Sequence, residues 1–245
     1  MSICLELTRT PRTRSRRPPA ELRRLAEAGA AALVGATAAD IVAWAAAAFG
    51  PRLAVTSSMT DAVVAHLTAT ARPGVDLLFL DTGYHFAETI KTRDAVSALL
   101  PVTVVDVRPK QTVSEQDATH GGSLYARNPS RCCELRKVAP LDAALRPYEA
   151  WVTGVRRADG VGRRKTKAIE WDLRRQLVKI NPIVEWSDQD VQAYVEAHDL
   201  PVNPLVARGY PSIGCAPCTR PARAGDDARA GRWAGTEQTE CGLHT

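Results

Sequence analysis

Three short apolar runs, Leu53–Thr56, Val75–Leu80 and Val102–Val107, constrain this chain more than any other feature. Each is rich in Val and Leu and bounded by polar or Gly-containing stretches, as expected of a strand buried on both faces. Residues 62–71 and 86–99 read as helices between them. Two Ala-rich stretches, 21–34 and 38–49, read as helices before the first strand, with Asp40 placed where its charge suits a helix N-terminus. Strand and helix alternate across short loops. That pattern predicts an α/β fold, a doubly wound, mainly parallel sheet with helices on both faces. Further strands are expected at 151–155 and 179–183. A last helix runs to Ala197, with Ser187 as its cap and Asp190 three residues on.

Ligands in such sheets bind at the carboxyl ends of the strands, and those ends carry polar loops. After the first strand, Ser57, Ser58 and Thr60 set hydroxyls beside the free amides of a helix start, a place for phosphate or sulfate. The same hydroxyls also suit a simple helix cap. After the second strand, Asp81-Thr82-Gly83 combines a turn glycine with a carboxylate that suits a ribose or an adenine amine, and equally an N-cap. Arg156 and Arg157 at the fourth strand's end, followed by Arg163-Arg164-Lys165, read as a site for an anion or as a solvated loop.

Six cysteines are present, four of them in two pairs. Cys132 and Cys133 are adjacent, and Cys215 and Cys218 form a Cys-x-x-Cys in a Gly/Pro-rich loop. Four thiolates match one tetrahedral metal ion or one iron–sulfur cluster. Adjacent cysteines direct their side chains differently, which suits a cluster better than a single ion; a zinc staple and plain buried thiols are the alternatives. Cys241 stands apart, five residues from the end and three before His244. A cysteine on a mobile terminal segment is a candidate nucleophile; an incidental placement or a zinc contribution stays open.

The formal net charge of +5 resides in the N-terminus. Residues 1–24 hold seven arginines against two glutamates, and removing them leaves 25 basic and 25 acidic residues. The neutral body argues against nucleic-acid binding. Residues 1–20 mix Arg, Ser, Thr and Pro and are expected to be a disordered basic tail; 21–225 would be the α/β domain and 226–245 a mobile catalytic tail. Arg16-Arg17 lacks the apolar stretch that follows a twin-arginine signal. No run suits a membrane span. The chain therefore reads as cytoplasmic, where six cysteines point to metal or redox chemistry rather than disulfides.

Taken together, these motifs resemble the assimilatory sulfonucleotide reductases, and within them the adenylyl-sulfate (APS) reductase branch. The resemblance spans about Leu53 to His244. It rests on Phe79 to Phe86, Cys132-Cys133 with Lys137, Gly154-Val155-Arg156-Arg157, Arg208 to Pro221, Arg229-Ala230-Gly231-Arg232-Trp233 and Glu240-Cys241-Gly242-Leu243-His244. It implies a sheet of the adenine-nucleotide alpha-hydrolase type and a [4Fe–4S] cluster on Cys132, Cys133, Cys215 and Cys218. It implies that Cys241 attacks the sulfur of APS, releases AMP and holds an S-sulfocysteine, from which separate reduced thioredoxin releases sulfite. Lys137, Arg229, Arg232 and His244 would cradle the sulfate as positive groups. Ser57, Ser58, Asp81, Thr82, Gly83 and Arg156 would hold the nucleotide, and Arg163 or Arg164 its phosphosulfate. The chain departs from the family in residues 158–162, in the loop after the first strand, and in keeping only Trp233 of a tryptophan run. Association into a homo-oligomer is left open.

A phosphoadenylyl-sulfate (PAPS) reductase is the nearest alternative, but that branch generally lacks the four cluster cysteines. An ATP pyrophosphatase or tRNA thiolation enzyme needs a Ser-Gly-Gly-x-Asp-Ser loop, and Ser57-Ser58-Met59-Thr60-Asp61 has neither glycine. An iron–sulfur regulator would need a DNA-binding element, and no helix-turn-helix with a basic face stands out.

Overall fold

The computed structural model describes residues 15–223, 225, 227–234, 236, 238 and 240–244. Its centre is a six-stranded sheet built from β1 (Leu53–Thr56), β2 (Val75–Leu80), β3 (Val102–Val107), β4 (Ala150–Val152), β5 (Ile169–Asp172) and β6 (Leu177–Ile180). The order is β3-β2-β1-β4-β6-β5. Every neighbouring pair is parallel except β5 with β6. The chain runs outward from β1 through β2 to β3, then returns to place β4 on the other flank of β1. The topological switch point therefore lies between β1 and β4, where such a sheet opens a crevice for ligands.

Alternate side chains divide the strands between two cores, which is why apolar residues dominate the runs, interrupted by Asp76 in β2 and by Thr103 and Asp106 in the edge strand β3. Leu53, Val55, Leu77, Phe79, Val152, Val178 and Ile180 face the larger core. There they meet α1 (Pro19–Ala32), α2 (Ala38–Phe49), α3 (Val63–Ala71) and residues of α4 (Ala87–Leu99) and α9 (Asp188–Ala197). Ala54, Leu78, Trp151 and Leu177 face a smaller core with Leu141 and Leu145 of α8 (Ala139–Leu145), against which Leu243 also packs. Between β3 and β4 come α5 (Val113–His120), α6 (Leu124–Arg127), α7 (Pro129–Cys133) and a π-helical turn, Glu134–Val138.

Three helices begin with reciprocal caps: Thr37 with Asp40, Thr112 with Glu115 and Ser187 with Asp190. In each, hydroxyl and carboxylate satisfy amides that the first turn leaves unpaired. The first helix starts two residues before expectation because Pro19 is pre-set for a first helical position. The fourth strand ends at Val152 rather than 155, where Thr153 turns its hydroxyl to Asn181 Oδ1 at 2.5 Å. The sixth occupies Leu177–Ile180 rather than 179–183, since Pro182 cannot donate to a ladder.

The expected disordered tail through residue 20 is corrected for its described part. Arg17 bonds Glu149 at 2.7 and 2.8 Å and the Ala48 carbonyl at 2.8 Å, and Arg16 donates to the Gln176 carbonyl. A buried carboxylate with these partners fixes the segment leading into α1. Residues 1–14 lie outside the described residues. Among the described residues no helix is long and apolar enough to cross a membrane.

Candidate active site

A deep cavity opens at the switch point. Its walls are the loop after β1 (Ser57, Ser58, Thr60, Asp61), the end of β2 with Thr82, the loop after β4 (Gly154, Val155, Arg156) and Arg163. Lys137, the Ser212–Cys215 stretch, Arg229 and Arg232 complete it, together with Cys241, Leu243 and His244 of the C-terminal segment. Asp61 is half-buried there, and desolvation raises its carboxyl pKa despite the hydrogen bond from the Val63 amide and nearby Arg156.

The cationic side is organised by one indole. Trp233 is 3% exposed, and its ring lies 4.6 Å from the Arg232 guanidinium, 5.6 Å from that of Arg229 and 5.9 Å from Lys137 Nζ. Such contacts hold cations that burial would otherwise penalise. Trp233 itself has φ of +50°, a conformation that costs on the order of 1 kcal/mol for a residue with a side chain. Arg232 donates to Ser212 Oγ and the Ile213 carbonyl, each at 3.3 Å, and lies over Gly214. Burial works against the Lys137 charge, but Cys215, Cys241 and Cys133 outweigh it and raise the pKa of its ammonium.

Behind Lys137 a smaller cavity is lined by Cys132, Cys133, Cys215 and Cys218 with Tyr84, Tyr125, Pro129 and Arg136. α7 carries the first pair, a 3-10 turn (Ala216–Cys218) and the residue before it, Cys215, carry the second, and the π-helical turn brings Arg136 and Lys137 inward. Thr82 Oγ1 lies 3.3 Å from Cys215 Sγ, and Gln238 Nε2 donates to Cys133 Sγ at 3.6 Å. Burial and the other three thiols push Cys132 up to about 12, and burial with Cys215 pushes Cys218 up to about 11. Four thiols crowded in a dry site destabilise one another as thiolates unless a positive group sits among them. The donor set therefore fits a thiolate-bound metal group. Among the described residues no three or more His, Cys, Asp or Glu side chains are placed to hold a single metal ion.

The C-terminal segment spans both cavities. Gln238 reaches Ser130 and Cys133 on the cysteine side, while Glu240 pairs with Arg163 and Arg229. The Leu243 carbonyl accepts from Arg175 Nη1 at 3.0 Å, and the His244 ring stacks on Trp151. Among the described residues, five buried nitrogens on the large cavity's lining residues have no partner: Arg156 Nη1, Arg232 Nε and His244 Nδ1, with His85 Nδ1 and Trp151 Nε1. Buried donors seldom stay unmatched, so this grouping marks a polar ligand's place.

A family model described as the phosphoadenosine phosphosulfate reductase domain matches residues 51–221. The chain belongs to this family. A Streptomyces coelicolor protein named adenosine 5'-phosphosulfate reductase is 57% identical over 224 residues, spanning 91% of this chain and 95% of its own. One of the same name from Mycolicibacterium smegmatis is 56% identical with the same coverage. Among solved structures, the phosphoadenylyl-sulfate reductase of Candida auris in its phosphate complex aligns with TM-score 0.68 at 27% identity, covering 81% of this chain and 97% of that one. The FMN adenylyltransferase of Candida glabrata, at TM-score 0.53 and 15% identity over 83% and 74%, shares the fold alone.

Within the reductase fold, Ser57, Ser58, Thr82, Arg156, Arg163, Arg229, Arg232, Lys137, Cys241 and His244 all line the large cavity. Asp81, Gly83 and Arg164 are not among its lining residues. Asp81 instead accepts from the Gly83 amide at 3.1 Å and lies 3.4 Å from Arg108 Nε. Gly83, at φ of +73°, leaves room for Arg136, which donates to the Thr82 carbonyl. That turn thus also buttresses the cysteine side. His244 differs from the expected positive group: burial, then Lys179, Arg163, Arg175 and Arg229, hold its pKa well below the ordinary imidazole value. A neutral ring donates one N–H, not a charge. Sequence reading missed Arg136, Trp151, Arg175 and Gln238, which carry no motif of their own; Glu240 was read only as part of the Cys241 motif, with no role assigned.

Proposed function

We propose that this chain reduces adenylyl sulfate to sulfite and AMP in sulfate assimilation, with Cys241 as nucleophile and thioredoxin as reductant. The observation that carries it is the placement of Cys241 on a switch-point cavity with Lys137, Arg156, Arg229 and Arg232, where buried cationic and imidazole donors await partners. The hydroxyls of Ser57, Ser58 and Thr60 and the loop after β4 would hold the nucleotide. The guanidinium groups would take the phosphosulfate, whose charge otherwise repels a thiolate. Cys241 Sγ attacks sulfur; the S–O bond to phosphate breaks, its electron pair leaves on AMP, and a thiosulfonate remains on the chain. Lys137 and the arginines meet charge as it moves to the leaving phosphate, where fixed donors contribute most.

Cys132, Cys133, Cys215 and Cys218 would bind a [4Fe–4S] cluster, whose charge beside Lys137 supplies electrostatic polarisation of the sulfate. With the other four described cysteines taken up as cluster ligands, the adduct is released by an external dithiol. One thioredoxin thiolate attacks Cys241 Sγ, sulfite departs with the electron pair, and the second thiol closes the disulfide on thioredoxin.

Incubation of anaerobic protein with APS and no reductant should leave one sulfonate on the tail peptide and release one AMP, and reduced thioredoxin should then liberate sulfite. Cys241→Ser should bind APS and form no adduct. A sulfonate mapped to another cysteine would overturn the mechanism, and a specificity constant for PAPS equal to that for APS would overturn the substrate.

A further inference from the structure

We infer that Glu240 is the positioning residue that docks the tail, and that Arg163 is its anchor rather than a ligand of the substrate anion. The inference rests on the proposed role of Cys241.

Arg163 stands on the 3-10 turn Val161–Arg163 beyond β4. Its Nη1 donates to Asp159 Oδ2 at 2.9 Å, while Nε and Nη2 reach the two Glu240 oxygens at 3.1 and 3.4 Å. Two carboxylates thus take three of its nitrogens, in a side chain only 13% exposed. Such forked pairing fixes direction as well as distance. Arg156 and Arg232, by contrast, each keep a buried nitrogen without a protein partner. Arg156 is also paired, with Asp159 and Asp188, but its Nη1 stays open, so an incoming phosphosulfate is met by these open nitrogens and not by Arg163, whose three are all taken.

Glu240 also accepts from Arg229 Nη2 at 3.1 Å. Arg229 belongs to the turn tied to the cysteine loop, where the Arg220 amide bonds the Gly231 carbonyl at 2.9 Å and the Trp233 amide bonds the Cys218 carbonyl at 2.9 Å. One carboxylate therefore joins the nucleotide-side loop to the cysteine-side segment, and the next residue is Cys241. Beyond Cys241 the tail is held again, by Arg175 on Leu243 and by the stack of His244 on Trp151. Fixing both sides sets the position of Sγ, and displacement of a nucleophile by an ångström costs orders of magnitude in rate.

The test follows sulfonation of Cys241 by saturating APS, without reductant, in E240Q, E240D, R163Q and the E240Q/R163Q pair. Hydrogen exchange of the tail amides is read in parallel, and APS affinity is measured in a C241S background. E240Q should slow transfer roughly 10- to 100-fold and speed tail exchange, while the APS Kd stays within about threefold. E240D should recover part of the rate. R163Q should reproduce E240Q, and the pair should be no slower than either single change, because both remove one contact. Core exchange unchanged from wild type separates these effects from misfolding. Transfer by E240Q at the wild-type rate would overturn the inference, as would an APS Kd raised more by R163Q than by E240Q. Absence of any sulfonate on the wild-type chain would instead sink the proposed function, leaving tail exchange to report on Glu240.

Discussion

The imidazole of His244 lies parallel to the indole of Trp151, with ring centroids 5.6 Å apart and planes 3° apart. The Arg175 guanidinium sits 5.2 Å from the same indole and donates to the Leu243 carbonyl. Trp151 is 1% exposed and belongs to the smaller core. The end of the chain is thus built onto the sheet, which carries the position of β4 directly to the residues around Cys241.

This stack predicts a pH dependence for tail docking. Docked His244 holds its proton more weakly than a free imidazole, first through burial and then through Lys179, Arg163, Arg175 and Arg229. Docking is therefore fully supported above the free value of roughly 6.5 and weakens as pH falls below it, by at most about 1.4 kcal/mol per pH unit. Limited proteolysis of the tail, normalised to a free tail peptide, should quicken between pH 7.5 and 5.5. His244→Asn should flatten the response. Equal cleavage at both pH values would show that the imidazole does not control docking.

The cysteine cavity predicts the composition of the purified protein. Anaerobic preparations should be brown and contain iron with acid-labile sulfide, and zinc without sulfide would rule the cluster out. Cys133→Ser should lose the chromophore and most activity. The loss should reach the large cavity too, because Cys215 lines both cavities and Lys137 stands between them.

Lys137→Ala should affect chemistry more than folding. Its ammonium stands at the junction of the two cavities against Trp233. Removing a charge aimed at a developing anion typically lowers kcat by about 10²- to 10³-fold. A single-turnover sulfonation assay beside thermal unfolding separates the two effects. Turnover unchanged from wild type would remove Lys137 from the site.

Much of the fold was legible because local signals and tertiary packing agree. The runs that became β1, β2 and β3 match their observed bounds, since β1 and β2 are covered on both faces, β3 pairs along the whole of β2, and the chain must turn at each end. β5 was not legible: Ile169–Asp172 is four residues long, alternates in polarity and owes its existence to antiparallel pairing with β6. The short helices around Cys132 were equally hidden, as their form depends on a loop some 80 residues downstream. In the site, residue types were readable and their pairings were not. Asp81 and Arg164 share the chemistry of their neighbours, yet only the backbone course turns Asp81 toward Arg108 and leaves Arg164 off the cavity wall. Ion pairs such as Arg163 with Glu240 join positions 77 apart, beyond any local pattern.

Two glycines near the cations should respond to the same substitution in opposite ways. A Cβ on Gly214 would lie 2.3 Å from Arg232 Nη2 and 2.5 Å from its Cζ, so alanine must push that guanidinium away. The intruded group is the end of a flexible side chain, which can move at modest cost while the backbone stays. Gly214→Ala should therefore keep its unfolding temperature near wild type and lose roughly 10-fold or more in kcat/KM for APS, as a displaced phosphosulfate contact would. A Cβ on Gly231 would lie 2.0 Å from the Arg220 carbonyl oxygen, which is backbone, in the residue whose amide bonds the Gly231 carbonyl. Gly231→Ala must separate the two segments, breaking the Arg220 amide bond and shifting Trp233 with the three cations around it. Its cost should reach about 1–3 kcal/mol in stability as well as activity. Thermal unfolding and APS kinetics on both variants decide the matter: a stable, inactive Gly214→Ala beside a destabilised Gly231→Ala is expected, and the reverse order would show that Arg232 is not held against Gly214.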